Sequence, residues 1–173
     1  MRRIPLVVVL LGLIVSVGLL TVSPAPAAQD ATPTGEVAPP TAEVLGSVPA
    51  TDAPGKQLVL LRVTFAPGAA APSHVHPGQL IVAVESGTVG YTILSGEGES
   101  MRGGAGTPTA AEVVTPGTEI LLEPGEWFIE VPGVVHTVRN AGDEPAVILV
   151  SGLVAVDEPL LQPMEAGMAT PAA

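Results

Sequence analysis

The sequence has no cysteine and few aromatic residues: one Trp, one Tyr and two Phe among 173 residues. The lack of cysteine excludes disulfides, thiolate metal ligands, thiol catalysis and anchoring through a lipidated cysteine. Stability must therefore come from packing, and Val, Leu, Ile and Ala must fill the core. Because β-branched residues pack well on pleated surfaces, this composition is compatible with a small β-domain.

Basic residues are also scarce. Six Lys and Arg stand against seventeen Asp and Glu, which gives a formal net charge of −11. A surface this acidic repels phosphate backbones and anionic headgroups, so we predict no nucleic-acid partner and no peripheral membrane binding. The acidic residues are scattered along the chain, which is typical of a solvated exterior.

A long apolar run occurs once, near the N-terminus. Residues 1–3 are basic after the Met, residues 4–22 are apolar, and Ala25-Pro26-Ala27 offers small residues for cleavage. This order predicts a secretory signal peptide over residues 1–28 and a secreted or extracytoplasmic protein, with no membrane contact after cleavage. The alternative is an uncleaved anchor formed by residues 4–22, because the run is nearly long enough to span a bilayer.

The rest of the chain divides by composition. Residues 29–55 are rich in Pro, Ala and Thr and predict a linker, with one short strand at most near Val44 to Val48. Residues 161–173 predict a flexible tail, which leaves residues 56–160 as one folded domain. Within it, short β-type runs alternate with Pro-Gly turns and no apolar stripe has helical spacing, so we predict an all-β sandwich or barrel.

The predicted strands follow the apolar runs, and Ser95 to Ala110 between them predicts a long flexible loop on the barrel rim. The candidate strands are Gln57 to Phe65, Leu80 to Val84, Val89 to Leu94, Glu112 to Val114, Glu119 to Leu122, Trp127 to Val131, His136 to Arg139 and Ala146 to Val156.

The three histidines lie in two short segments, each opened by a Pro-Gly turn. His74 and His76 are two residues apart, so on a strand both side chains leave from one face. Together with His136 from a distant strand, they could close a triangular face around an ion at metal–nitrogen distances of about 2.0 to 2.1 Å. A single histidine in an all-β domain is more often a surface or core residue than a ligand.

These two segments resemble the two sequence motifs of the cupin superfamily. The resemblance extends from about Arg62 to Val150, and two gapped motifs in the right order are far more specific than either alone. The proline of the second motif is displaced by one position, to Pro132. The residues that match are Gly68, His74, His76 and Gly87 in the first motif and Gly125, Gly133, His136 and Asn140 in the second.

The resemblance implies a double-stranded β-helix, or jelly-roll, barrel with a divalent transition metal on His74, His76 and His136. Histidines at all three motif positions reverse the expectation for a single histidine. Imidazole ligands suit Zn, Fe, Mn, Ni or Cu, and the sequence does not choose among these metals.

One position departs from the first motif. The family's glutamate supplies a fourth ligand, and Leu80, which cannot coordinate, occupies its position here. Gln79 is the predicted substitute if a bulge after the Pro77-Gly78 turn shifts the strand by one residue. Regular alternation from His76 would instead place Leu80 inside and Gln79 outside, and Glu85 is a weaker candidate. A site without a carboxylate would keep the ion's full charge and favour an anionic ligand.

The remaining residues near the second motif receive simpler predictions. Trp127 and Phe128 are adjacent, so one packs in the core and the other outside, and Arg139 faces outward from His136. Five glutamates mostly alternate with apolar residues and are predicted on the solvent face: Glu112, Glu119, Glu123, Glu126 and Glu130.

The fold does not choose a function, since the family includes dioxygenases, isomerases, decarboxylases, storage proteins and sugar-binding modules. The resemblance implies a cupin-domain protein that binds a divalent metal, as a small-molecule dioxygenase or isomerase, and the predicted signal peptide implies that it is exported. The alternative is a non-catalytic extracytoplasmic module for a small ligand or a metal, so enzymatic activity stays open. The apolar run from Ala146 to Val156 predicts either a core strand or part of a homodimer interface.

Overall fold

The computed structural model describes residues 37–96, 98–104 and 112–164. The regular elements in these ranges are β-strands, and no helix long and apolar enough to cross a membrane occurs there. The predicted signal peptide, residues 1–28, lies outside the described residues. The strands are β1 (Thr41–Pro49), β2 (Lys56–Phe65), β3 (Ala70–Val75), β4 (Gly78–Ser86), β5 (Val89–Ser95), β6 (Met101–Gly103), β7 (Glu112–Val113), β8 (Glu119–Leu122), β9 (Trp127–Glu130), β10 (Val135–Asn140), β11 (Ala146–Ala155) and β12 (Gln162–Pro163).

The strands form two antiparallel sheets. The seven-stranded sheet has the order β1-β2-β11-β4-β9-β6-β7, and the five-stranded sheet has the order β12-β3-β10-β5-β8. Most neighbours are distant in sequence, since β11 lies between β2 and β4 and β10 lies between β3 and β5. Two sheets of short antiparallel strands joined by such crossings form a jelly roll, so the predicted all-β barrel is confirmed.

The core lies between the two sheets. Val82 and Phe128 enter it from the seven-stranded sheet and Tyr91 and Ile93 from the five-stranded sheet, all essentially unexposed. The rings of Tyr91 and Phe128 pack with their centroids 4.4 Å apart. Trp127 is only half-buried and donates its indole N–H to a backbone carbonyl, so the two adjacent aromatic residues face opposite sides as predicted.

Strand β11 is a central strand of the larger sheet. Its apolar run reflects that position, because Ala146, Ile148, Val150 and Val154 alternate into the core. The intervening side chains are half-buried on the outer face of the sheet. The run is therefore a core strand, the first of the two alternatives that the sequence left open.

Three strands were not predicted from the sequence, and each has a physical reason. β3 contains two Ala and a Pro and has little β propensity of its own. β6 lies within the predicted rim loop, of which residue 97 and residues 105–110 lie outside the described residues. β12 lies within the predicted tail and pairs with β3, as β1 within the predicted linker pairs with β2. The sheets thus extend on both sides of residues 56–160.

The motif asparagine, Asn140, fixes the end of β10. Its amide donates to the carbonyl oxygens of Phe65 and Glu144 at 3.1 and 2.7 Å, and its side-chain oxygen accepts from the N–H of Gly142 at 2.9 Å. Asn140 is only 3% exposed. This motif residue therefore stabilises the connection between β10 and β11.

The motif glycine Gly87 is required by the turn between β4 and β5. Its φ is +74°, in the left-handed region, and a Cβ there would approach the Cα of Ala146 to 2.7 Å. Glycine is the residue that adopts this conformation without a steric penalty and leaves room for the neighbouring chain.

We expect Asn140→Ala to lower the free energy of unfolding by about 2 kcal/mol, because it leaves the buried carbonyl of Phe65 without its donor. Urea unfolding measures this change. Asp143→Ala is the matched control, since Asp143 lies in the same connection but is exposed, and it should change stability by less than about 0.5 kcal/mol. Equal stability of the two variants would contradict the assignment.

Candidate metal centre

Three imidazoles and one carboxylate converge in the interior of the barrel. They belong to His74, His76, Glu130 and His136, and one ligand atom from each lies within 4.8 Å of all the others. All four side chains are buried. The predicted convergence of the three histidines is thus present in the structure, with ring centroids 4.4 to 5.2 Å apart.

Strand register explains how these side chains meet. His74 in β3 pairs directly with His136 in β10, so the two imidazoles are cross-strand neighbours in the five-stranded sheet. His76 follows two residues after His74 and faces the same way. Glu130 is the last residue of β9 in the other sheet and reaches the imidazoles from the opposite side of the barrel.

Backbone carbonyls fix the tautomer of each histidine. The Nδ1 atoms of His74, His76 and His136 lie 2.6, 2.6 and 2.9 Å from the carbonyl oxygens of Pro72, Leu160 and Val134, respectively. A carbonyl oxygen only accepts, so each Nδ1 carries the proton and donates it. In the neutral rings the Nε2 atoms therefore bear free lone pairs, which is the arrangement of metal-ligating histidines held by a second hydrogen bond.

The carboxylate of Glu130 faces two of these Nε2 atoms. Its oxygens lie 3.0 Å from Nε2 of His76 and 3.2 Å from Nε2 of His136. The second contact has the distance of a hydrogen bond but not its direction, so Nε2 of His136 is buried without a hydrogen-bond partner. A misaligned contact of this kind is weak, because hydrogen bonds weaken steeply when the donor does not point at the acceptor. Lone pairs that face a buried carboxylate require a positive charge between them.

The pKa values reflect this crowding. Burial lowers the pKa of His74 to about 4, and the neighbouring His136 adds to the effect. Burial also acts to lower the pKa of His76, but the contact with Glu130 outweighs it and the pKa is raised. Burial would raise the pKa of Glu130, whereas its contacts with His136 and His76 hold the pKa below its ordinary value. Glu130 is therefore ionised and His74 neutral at physiological pH.

The fourth side chain of the cluster differs from the predicted one. Gln79 is exposed and Leu80 is 1% exposed, as regular alternation from His76 requires, so the structure does not bring Gln79 to the imidazoles. The prediction of a solvent-facing Glu130 is wrong, because Glu130 is 3% exposed. Glu130 pairs in register with Leu80 on the adjacent strand. The carboxylate thus comes from the strand next to the family's usual position.

A signal for Glu130 was present in the sequence. Phe128 and Glu130 are two residues apart on one strand and must share a face. Large aromatic side chains in a domain with few of them are strong candidates for the core. Placing Phe128 inside, rather than leaving its face open, would have placed Glu130 inside as well.

The other candidate acids lie outside the cluster. Glu85, the weaker substitute for the missing acid, is exposed and accepts from Arg62 at 2.9 Å. Glu119 accepts from Arg139 at 2.6 Å, and Glu126 accepts from Arg102 at 2.8 Å. Arg139 is exposed, as predicted. Glu112 and Glu123 are also exposed.

A cavity of about 310 Å³ adjoins the cluster. His74, His76 and Glu130 are its charged or strongly polar lining residues, and the remaining lining residues are apolar. The cavity is thus an apolar chamber with the cluster on one side. The apolar lining consists of Pro39, Pro40, Ala42, Leu61, Val63, Phe65, Ala71, Pro72, Leu80, Val138, Ile148, Val150, Leu160 and Leu161.

Both flanks of the domain take part in this chamber. Pro39, Pro40 and Ala42 precede or begin β1, and Leu160 and Leu161 precede β12. The carbonyl of Leu160 also accepts the Nδ1 proton of His76. The segment before β12 therefore both lines the cavity and orients a histidine of the cluster.

The family model described as Cupin domain matches residues 61–152. Among curated proteins the sequence finds no match. A solved Klebsiella pneumoniae protein with a double-stranded β-helix domain is 25% identical, over 73% of this chain and 86% of that one, with a TM-score of 0.48. A cupin 2 domain-containing protein from Halorhodospira halophila is 16% identical, over 78% and 77%, with a TM-score of 0.47.

The lowered pKa of His74 predicts a pH-dependent stability of the metal-free protein. The unfolded chain protonates His74 near pH 6.5 and the folded chain only near pH 4, so the unfolded state binds more protons as the pH falls between these values. In the presence of a chelator, we expect the free energy of unfolding of the wild type to fall by about 2 kcal/mol more than that of His74→Asn between pH 7 and pH 5.

Urea unfolding at the two pH values measures this difference. Comparing the two proteins removes most of the opposite effect of His76, whose raised pKa adds stability below pH 6.5 that is lost as the pH rises through its folded value. Parallel pH profiles for the wild type and His74→Asn would contradict the neutral, buried state of His74.

Proposed function

This chain belongs to the cupin superfamily, and on that premise we propose an exported protein whose barrel binds one divalent transition metal ion through His74, His76, Glu130 and His136. The observation that carries the proposal is the buried Nε2 of His136, which has no hydrogen-bond partner. All three Nδ1 atoms donate to carbonyls, so the Nε2 lone pairs are available to an ion. Three imidazole nitrogens and one carboxylate oxygen suit Zn, Fe, Mn, Ni or Cu.

The charges of the cluster fit a divalent cation. Glu130 contributes one negative charge, and His74 is neutral at physiological pH and needs to lose no proton to coordinate. A bound metal ion would supply Lewis acidity or a centre for oxygen chemistry. The residues of the chain would orient that ion: the carbonyls behind the imidazoles fix the rings, and Glu130 lowers the net charge of the site.

As an enzyme, the protein would be a small-molecule dioxygenase or isomerase. One observation favours the alternative, a non-catalytic module that binds a small ligand or a metal. In the described part of the cavity lining, the charged and strongly polar groups are His74, His76 and Glu130, which are themselves in the cluster. No acid or base outside the cluster is available there. Turnover would therefore depend on the metal ion or on a cluster side chain that leaves the metal to act as acid or base.

A screen of the metal-loaded protein distinguishes these two functions. Oxygen uptake or substrate loss on catechols and thiols would support an oxygenase. Stable binding of a small ligand without consumption, by the same protein preparation, would support the module. A homodimer also stays a prediction, to be tested by the mass of the protein in solution.

We expect the purified protein to bind about one divalent ion per chain, measured by metal analysis after dialysis. His74→Ala and His136→Ala should each weaken binding by more than the 10- to 100-fold that outer partners of metal ligands contribute. Glu130→Gln keeps the side-chain shape but removes the charge, and it should weaken binding as well. Glu126→Gln is the matched control, because Glu126 pairs with Arg102 and is not part of the cluster. Equal metal content in all these proteins would contradict the proposed metal site.

We expect export to remove the first 27 or 28 residues, since Ala25-Pro26-Ala27 offers the small residues that a signal peptidase needs. Expression of the full chain in a bacterial host, followed by intact mass measurement of the extracytoplasmic fraction, tests this. Changing Ala27 to Arg should block cleavage and retain the longer form. A protein of full length in the membrane fraction would instead support the anchor over residues 4–22.

A further inference from the structure

We propose that the barrel's ligand carries one metal-binding group and an otherwise apolar, uncharged body, so that small dianions such as dicarboxylates are excluded. This inference rests on the metal site proposed above and adds the class of ligand. The metal-binding group is polar or anionic, and the rest of the molecule lies against the apolar walls of the cavity.

The cavity walls outside the cluster are apolar. Beyond His74, His76 and Glu130, the lining is made of Pro, Ala, Leu, Val, Ile and Phe side chains. Val138, Ile148 and Val150 are buried core residues whose side chains also face the cavity. A second charged group on the ligand would lose its hydration against these walls without gaining a partner.

The basic residues in the described ranges lie away from the cavity. In the described ranges the chain has Lys56, Arg62, Arg102 and Arg139, and none of them lines the cavity. The three arginines pair outside the cavity lining with Glu85, Glu126 and Glu119. No guanidinium or ammonium group of the described residues can therefore balance a second negative charge, and Glu130 repels one.

The cavity volume limits the size of the ligand. An apolar cavity of about 150 Å³ holds benzene in an engineered protein, and the cavity here measures about 310 Å³. A single ring with a short substituent, or an aliphatic body of similar size, therefore fits. Pockets of this volume are at the lower end of those that hold small ligands.

The experiment uses two probes of nearly equal size that differ in charge. Both 4-isopropylbenzoate and terephthalate present one carboxylate to the ion, and their second substituents, isopropyl and carboxylate, have the same number of heavy atoms. Calorimetry with the metal-loaded protein, after signal removal, measures both affinities. We expect terephthalate to bind on the order of 100-fold more weakly, because its second carboxylate is buried without a partner.

A positive charge placed in the wall should reduce this preference for 4-isopropylbenzoate. Ala42 is exposed, lies in β1 and lines the cavity, so Ala42→Arg adds a guanidinium at the rim with little risk to folding. It should raise the affinity for terephthalate at least tenfold and leave 4-isopropylbenzoate nearly unchanged. Thr41→Arg is the matched control, since Thr41 is exposed on the same strand but does not line the cavity.

The outcomes separate this inference from the metal proposal. Terephthalate binding as tightly as 4-isopropylbenzoate, or no binding of either, would overturn the ligand class while the metal content of the protein stands. A protein that takes up no metal would overturn the metal site instead. In that case, binding of uncharged 4-isopropylbenzyl alcohol to the metal-free protein would support the apolar body of the ligand, and its failure to bind would overturn it.

Discussion

The contact between the buried carboxylate of Glu130 and the imidazoles of His76 and His136 is the interaction on which the barrel interior depends. A carboxylate removed from water destabilises a protein by several kcal/mol unless a positive partner compensates. Each of these imidazoles donates its Nδ1 proton to a carbonyl, so only a second proton or a metal ion can supply that partner at Nε2. The contact with Glu130 outweighs burial and raises the pKa of His76, so the carboxylate favours a positive charge at that contact; at the other contact Nε2 of His136 is buried without a hydrogen-bond partner.

Glu130 also shows how a site can keep its chemistry while its sequence changes. The family's acidic position holds Leu80, and Glu130 lies directly opposite Leu80 on the next strand. Side chains paired across two antiparallel strands have Cβ atoms only about 4.5 to 5.5 Å apart, and both point to the same face. A glutamate can therefore move from one strand to its neighbour and still reach the same point inside the barrel. Leu80 keeps the apolar packing that the carboxylate would otherwise interrupt.

The sequence predicted the histidines and the barrel because these depend on local spacing. His74 and His76 share a face through a two-residue period, and the two gapped motifs identify the partner segment of His136. Glu130 could not be found the same way, because its role depends on which strand pairs with β4. Alternation around Phe128 offered the only local sign of its burial. Pairing also explains why β12 was missed and why β1 is longer than the short strand predicted near Val44 to Val48. The side chains of both strands are mostly exposed, and the ladder to a neighbouring strand holds them.

The apolar walls and the polar cluster act together on whatever enters the cavity. Electrostatic interactions strengthen where water is excluded and the local dielectric constant is low. An ion in this chamber would therefore attract the one polar group of a ligand strongly, while the walls favour the apolar remainder of the molecule. Orientation follows from this division, since exchanging the two ends would place a desolvated polar group against Val138 and Ile148. The segments around Pro40 and Leu160 complete the apolar side, and Leu160 also holds His76, so the chamber and the cluster share one structural support.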